Sequence, residues 1–276
     1  QYCYLDSYQD APYSQPEAIG GYLPLSKVYS FNPVPDTLSA DKVQLVYGVQ
    51  ANLFTEYIPT PEHAEMMIYP RILALAEVAW SAPSVKNYDD FHVRALKEVE
   101  ALKAEGYHPF ELKNEIGNRP GADQPVQHLA VGKKVAYGPD AAYYPGYSAG
   151  GDSALVDGVI GGWTYGDRRW QGFIDKKRMD VTIDMEKETE IHSVGADFMQ
   201  VCGPEVFMPS EVIISVSNDG KEFTELKRME HKVVKDDKVT FINFGWEGNA
   251  KARYIRYQAS SGEFGGFLFT DEIVVK

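Results

Sequence analysis

The chain has 276 residues, 44% apolar and 24% charged, enough for two moderate domains that each bury a core. Lysine and arginine number 27 against 40 aspartates and glutamates. The resulting charge of −13 argues against an electrostatic grip on nucleic acid or an anionic membrane, because phosphate binding needs a basic face. No apolar run approaches the ~20 residues of a membrane-spanning helix, and the two cysteines, Cys3 and Cys202, lie too far apart in the chain to read as a metal knuckle or a disulfide scaffold.

In chain order, Gln1-Tyr2-Cys3-Tyr4-Leu5-Asp6 has no initiator methionine, basic stretch or signal-type apolar segment, and reads as the middle of a strand in something longer. Residues 42–50 alternate and then become nearly continuously apolar, which predicts a strand covered on both faces. Thr60-Pro61-Glu62 predicts a helix start: Thr as N-cap, Pro at the first helical position, Glu favoured by the dipole. Ala64, Met67, Ile68, Ile72, Leu75, Ala76 and Ala79 then recur at helical spacing, with Pro70 expected to kink or split the helix. A second helix carries Phe91, Ala95, Val99 and Leu102 on one face and Gly106 at its C-cap. Strand followed by helix predicts a parallel sheet or a barrel.

Residues 111–150 are rich in Gly and Pro and read as linker and loop. From 151 onward the pattern is all-β, with short segments at 179–185, 191–198, 212–216, 239–244, 254–257 and 273–275. Asn218-Asp219-Gly220 is a tight-turn signal between two of them, so a β-sandwich or barrel is expected. The expected division is 1–116, a linker over 117–150, and a sandwich over 151–276.

Phe54 and Glu56 stand two apart where the 42–50 strand runs out, and side chains at that spacing point the same way. An aromatic beside a carboxylate suits a sugar: the ring stacks on an apolar face while the carboxylate accepts hydroxyl hydrogen bonds. Tyr4 and Asp6 repeat the spacing. Each pair also reads as an ordinary strand end with a surface acid.

Tyr4-Leu5-Asp6, Gly48-Val49-Gln50-Ala51-Asn52-Leu53-Phe54-Thr55-Glu56 and Tyr69-Pro70-Arg71-Ile72-Leu73-Ala74-Leu75-Ala76-Glu77-Val78-Ala79-Trp80-Ser81 resemble the last part of the family 20 glycoside hydrolases, the β-N-acetylhexosaminidases. Leu25-Ser26-Lys27-Val28-Tyr29-Ser30-Phe31-Asn32-Pro33 resembles that family's bacterial members, and the likeness covers about residues 1–110 in consistent order. The resemblance implies the closing βα units of a TIM barrel and substrate-assisted hydrolysis, in which the substrate's 2-acetamido oxygen attacks the anomeric carbon. It implies a catalytic role for Tyr4, which matches the tyrosine that hydrogen-bonds this oxygen. Asp6 and Glu56 match carboxylates that hold sugar hydroxyls. Phe54 stands where the family usually has a tryptophan, keeping the apolar wall and losing an indole donor.

The family's adjacent Asp-Glu pair, with its general acid, lies upstream of the resembling segment. Asp271-Glu272 is the only such dipeptide here, and its place in the expected final strand does not suit the role. The chain alone is therefore expected to be inactive, since proton transfer to the leaving group is worth about 10²–10⁴-fold. Arg71 and Glu77 read as packing or surface residues. The six histidines show no metal-ligand spacing, and the Gly pairs at 150–151 and 161–162 have no phosphate-loop context.

Leu155-Val156-Asp157-Gly158-Val159-Ile160-Gly161-Gly162, Trp170-Gln171-Gly172-Phe173, Asp180-Val181-Thr182-Ile183-Asp184, Ser217-Asn218-Asp219-Gly220-Lys221-Glu222-Phe223, Ala252-Arg253-Tyr254-Ile255-Arg256 and Asp271-Glu272-Ile273-Val274-Val275 resemble a discoidin or coagulation-factor C-type domain over about residues 130–276. Family 32 carbohydrate-binding modules share that jelly-roll sandwich. The resemblance implies a structural Ca²⁺ with carboxylates at Asp157 and Glu272, joined by loop carbonyls. A turn aspartate and a surface glutamate fit those positions equally well. Trp163, Tyr165, Trp170, Phe264 and Phe267 read either as a sugar platform or as core, with core favoured for Trp170 and Phe173.

The fold expected is thus α/β plus all-β: the end of a TIM barrel followed by a jelly-roll sandwich. Its expected partners are N-acetylhexosamine-containing glycans, met in the periplasm or outside the cell. The alternatives are a module whose one retained activity is sugar recognition by the sandwich, or a spacer with no ligand.

Overall fold

The computed structural model describes residues 2–139, 141, 143–174, 179–236 and 238–276, so Gln1 of the opening motif lies outside the described residues. The chain divides into two compact units, Gln1–Gly117 and Asn118–Lys276.

The first unit is built on four α-helices, α1 (Leu25–Tyr29), α2 (Pro61–Ile68), α3 (Arg71–Trp80) and α4 (Tyr88–Ala104). The Thr60 hydroxyl accepts from the backbone N–H of His63 at 3.2 Å and Pro61 fills the first turn, so the N-terminal start of α2 falls where its cap chemistry predicts. Pro70, after a cis peptide bond, separates α2 from α3 as its missing N–H requires. The Asn87 side chain caps α4 by accepting from Asp90 N at 3.1 Å, and Gly106 takes the left-handed φ of 92° just beyond its end. Leu5, Leu25, Val28, Ala74, Leu75, Phe91, Ala95 and Val99 share the core of this unit. Its end is tied back to its beginning: the buried Asp10 carboxylate accepts from Ile116 N at 2.8 Å and Gly117 N at 2.9 Å.

The strand expected at 42–50 does not form. Residues Ala40–Leu45 wind into a 3₁₀ turn with Leu45 61% exposed, and beyond it Tyr47 is 93% exposed while Val49 packs against the core. A strand needs a ladder neighbour to satisfy its N–H and C=O groups, and backbone pairing among the described residues of this unit is limited to two isolated parallel bridges, Tyr4 with Asn52 and Tyr8 with Tyr22.

The second unit is all-β: β1 (Lys134–Tyr137), β2 (Gln171–Ile174), β3 (Met179–Gln200), β4 (Pro209–Ser217), β5 (Thr224–Glu230), β6 (Thr240–Ser261) and β7 (Phe267–Val275). Among the described residues these strands pair with one another antiparallel, in the order β2-β7-β3-β6-β4-β5, with β1 also on β3. Segments expected as pairs of short strands fuse into the 22-residue β3 and β6. Their ladder breaks register at Asp184/Thr189 and again at Ile191/Ser193. The second break switches which face is buried: Met179, Val181, Ile183, Met185 and Ile191 are interior at odd positions, then Val194, Ala196 and Phe198 at even ones. One bulge residue does this because side chains alternate with a period of two. Both sets enter a single core with Ile214, Ile255, Tyr257 and Ile273, so the sheet folds over on itself as a sandwich. The 218–220 turn joins β4 to β5, with the Asp219 carboxylate accepting from the N–H groups of Lys221 and Glu222.

Residues 118–150, expected as linker, belong to this second unit. β1 is one reason, and Arg119 is the other. Its guanidinium is 5% exposed, lies 4.7 Å from the Trp170 ring centroid, donates to Asp271 at 2.5 Å and to Gly161 O at 2.6 Å, and pairs with Asp197. Its carboxylate partners stand 78 and 152 residues away, out of reach of local composition.

Candidate functional site

In the first unit the parallel bridge between Tyr4 and Asn52 builds an edge. Leu5 N donates to Asn52 O and Asn52 N donates to Cys3 O, both at 2.8 Å. Two residues beyond Asn52, Phe54 reaches the ring of Tyr4: the centroids are 6.1 Å apart and the planes 25° from parallel. Both rings are open to solvent, Tyr4 at 42% and Phe54 at 51%. Glu56 is exposed in the turn that follows, which closes with Ile58 N on Thr55 O at 3.1 Å. Asp6 differs from the other three. It is 6% exposed, and one of its carboxylate oxygens, Oδ1, is buried without a hydrogen-bond partner among the described residues. Of the four candidates in this half, the structure therefore pairs Tyr4 with Phe54, leaves Glu56 on the open surface and turns Asp6 inward.

A residue read as packing or surface stands behind this edge. Arg71 opens α3 and is fully buried. Its Nη2 donates to Leu5 O at 2.5 Å and Met67 O at 2.6 Å, its Nη1 to Ser7 O at 2.9 Å and Leu23 O at 3.1 Å, and its Nε to Met67 O at 3.2 Å. Burial lowers its pKa to about 9, with the charge of Asp6 acting in the opposite direction, so it remains a cation at neutral pH. The signal for its burial was present in the spacing: Arg71, Ala74, Leu75 and Val78 fall on one helical face and all are buried.

In the second unit the charges of Asp157 and Glu272 repel each other, and their hydrogen bonds go to other groups. Glu272 is buried; its Oε1 accepts from Gly158 N at 2.8 Å and lies 2.7 Å from His128 Nε2. Its second oxygen, Oε2, is buried with no partner among the described residues. Asp157 is exposed as a residue, and its Oδ1 accepts from Val159 N at 2.8 Å. Burial raises the pKa of Glu272 above the usual carboxylate range, and the neighbouring charge of Asp157 adds to the rise. Burial likewise raises Asp157. The orphaned buried oxygen of Glu272 is the one unsatisfied donor atom here that a hard cation could take. No group of three or more His, Cys, Asp and Glu side chains suited to a metal occurs among the described residues, so backbone carbonyls would have to complete any such shell.

The aromatics considered as a sugar platform divide clearly. Trp170 and Phe173 are interior, and Trp163 is 5% exposed. Tyr165 and Phe267 pack in a cluster with Tyr147 and Phe269. Phe264 alone is open, 36% exposed, with Phe207 5.5 Å away and the Lys235 ammonium 4.4 Å above its ring.

Residues 1–83 match the model of the glycosyl hydrolase family 20 catalytic domain, and residues 140–273 match that of the F5/8 type C domain. A beta-hexosaminidase of Porphyromonas gingivalis is 50% identical over 88 residues, which are 32% of this chain and 11% of that protein. A beta-N-acetylhexosaminidase of Cellulomonas fimi is 33% identical over 96 residues, 35% of this chain and 19% of the relative. The matched stretches thus span a small part of the length of these relatives. Among solved structures, chitosan-binding module 1 from a chitosanase/glucanase of Paenibacillus sp. IK-5 is 17% identical, with 55% of this chain and 99% of the module covered and a TM-score of 0.37.

Proposed function

We propose that this chain, a family 20 catalytic-domain segment followed by an F5/8 type C domain, is part of a β-N-acetylhexosaminidase. In this reading residues 1–116 contribute the closing portion of a TIM barrel. The whole protein removes terminal N-acetylhexosamine residues from glycans in the periplasm or outside the cell, by substrate-assisted hydrolysis with retention. The observation that carries the reading is the Tyr4–Phe54 ring pair on the Tyr4–Asn52 bridge, within the stretch that matches family 20.

Tyr4 donates its hydroxyl hydrogen to the acetamido oxygen of the substrate and holds that oxygen on the line toward the anomeric carbon. As the new C–O bond forms, the glycosidic C–O bond breaks. The oxygen is better fixed in the transition state than in the ground state, which is what accelerates the step. Phe54 gives the acetamido methyl an apolar wall and keeps water away from the attacking oxygen. Glu56, on the open surface, accepts hydrogen bonds from sugar hydroxyls, and Asp6 shares that role only if its inward-facing carboxylate turns outward in the whole protein. The general acid comes from outside these 276 residues. Asp271 and Glu272 are unsuited to it, being 1% exposed and engaged by Arg119, Gly161 N, His128 and Gly158 N.

The same reading gives the second unit a structural Ca²⁺ held by Asp157 and Glu272, which would fasten the 157–158 turn to β7. A second reading, sugar binding by the sandwich itself, is favoured by one observation, the open Phe264 ring beside Lys235. The test is hydrolysis by the full-length protein of a chromogenic N-acetylglucosaminide against the matching glucoside. Turnover of the first alone, with retained configuration, supports the acetamido mechanism, and equal turnover of both overturns it.

A further inference from the structure

We propose that Arg71 is a positioning residue for the proposed hydrolysis, holding the Tyr4–Asp6 edge in its working register from behind. The inference rests on the reading above. The two carbonyls that flank Asp6, those of Leu5 and Ser7, converge on one guanidinium, at 2.5 Å from Nη2 and 2.9 Å from Nη1. The same group takes Leu23 O and Met67 O, so a segment near the start of the chain is pinned to α1's approach and to the end of α2 by a single side chain.

On its other side Leu5 donates to Asn52 O, which sets Tyr4 beside Phe54. Leu5 is thus held between Arg71 on one side and Asn52 on the other, and Ser7 by Arg71. A buried cation would ordinarily be matched by a hydrogen-bonded carboxylate, because an unmatched buried charge is costly. Here every hydrogen bond recorded for the guanidinium goes to a backbone carbonyl, and the charge that acts on it is that of Asp6. An arginine used only to fill space would not need five donors aimed at four carbonyls on three separate segments. Lysine cannot replace it: an ammonium is a point donor without the planar fork that reaches Leu5 O and Ser7 O together.

The test is a double-mutant cycle in the full-length protein, with kcat and KM for a chromogenic N-acetylglucosaminide measured on folded protein, as judged by circular dichroism and thermal melting. Arg71→Lys is expected to lower kcat about tenfold to a hundredfold with KM changed less than about threefold. In a Tyr4→Phe background the same change is expected to cost less than about threefold, because the contact that Arg71 aligns has already gone. Should Arg71→Lys not fold, Arg71→Gln, which keeps two donors without a buried charge, takes its place. An active wild type with unchanged kcat in the folded variant, or with strictly additive losses in the cycle, makes Arg71 merely structural and overturns the proposal alone. A full-length wild type with no turnover overturns the proposed function, and this proposal with it.

Discussion

Tyr4 and Phe54 stack 6.1 Å apart although 50 residues separate them, because one parallel bridge, Tyr4 with Asn52, brings their segments side by side. The tyrosine hydroxyl is thereby carried on a ring whose tilt is set by its neighbour. In the full-length protein Tyr4→Phe should preserve that stacking and remove only the hydroxyl, so kcat is expected to fall by about 10²-fold while KM moves little. Steady-state kinetics decide it. An unchanged kcat with a raised KM would show that Tyr4 acts only in ground-state binding.

The 276-residue chain by itself should not hydrolyse a chromogenic N-acetylglucosaminide above a buffer blank. Its one Asp-Glu pair is locked in the second unit by Arg119 and His128. Turnover that survives repurification would mean that an acid within these residues has been overlooked.

Calcium should raise the melting temperature of the second unit, and a chelator should reverse the effect. At free calcium about 100-fold above its dissociation constant, the gain would be about 2.7 kcal/mol. Glu272→Gln should abolish this dependence while its amide oxygen still accepts from His128. A melting temperature insensitive to calcium would remove the ion and leave Glu272 as an anchor for the 158 turn.

Glu115 supplies a pH dependence of stability. Burial, with the charge of Asp10 as the second cause, raises it to about 7. Between the ordinary carboxylate value and pH 7 the folded unit holds a proton that the unfolded chain has released. Its stability is therefore full at acid pH and falls as pH rises through that window, by on the order of 1–2 kcal/mol. Urea unfolding of wild type and Glu115→Gln between pH 4.5 and 8 tests this. The variant should lose the slope, and an identical slope would assign it to other groups.

Hydrogen exchange should separate the two halves. Residues 43–50, largely without a ladder, are expected to exchange fast, and residues 212–216, flanked by β5 and β6, slowly. Equal, strong protection in a demonstrated monomer would show that the first unit is self-sufficient.

Features with local causes were legible in the sequence. Thr60-Pro61, Pro70 and Gly106 act through their own backbone chemistry, and each marks a helix boundary where it was expected. The strand at 42–50 was misread because β structure is completed by neighbours, and the pattern of apolar residues says what a segment would bury without saying whether a partner is present. The long β3 and β6 looked like two strands each because their interruptions read as turns. In β3 the chain at 185–190 carries Met185 followed by charged residues and Thr189, yet a bulge rather than a turn lies there. At the candidate site, Tyr4 and Phe54 were found by spacing and resemblance, whereas the burial of Arg71 behind Asp6 rests on five bonds that all go to carbonyls, which carry no side-chain signature.

Asp10 gives the first unit a mechanical property. Because its carboxylate grips the N–H groups of Ile116 and Gly117, tension on the chain beyond residue 117 meets a buckle before it can peel α4 from its core. The load passes to a point four residues from Asp6, so strain at the C-terminal exit of this unit is delivered to the segment that carries Tyr4.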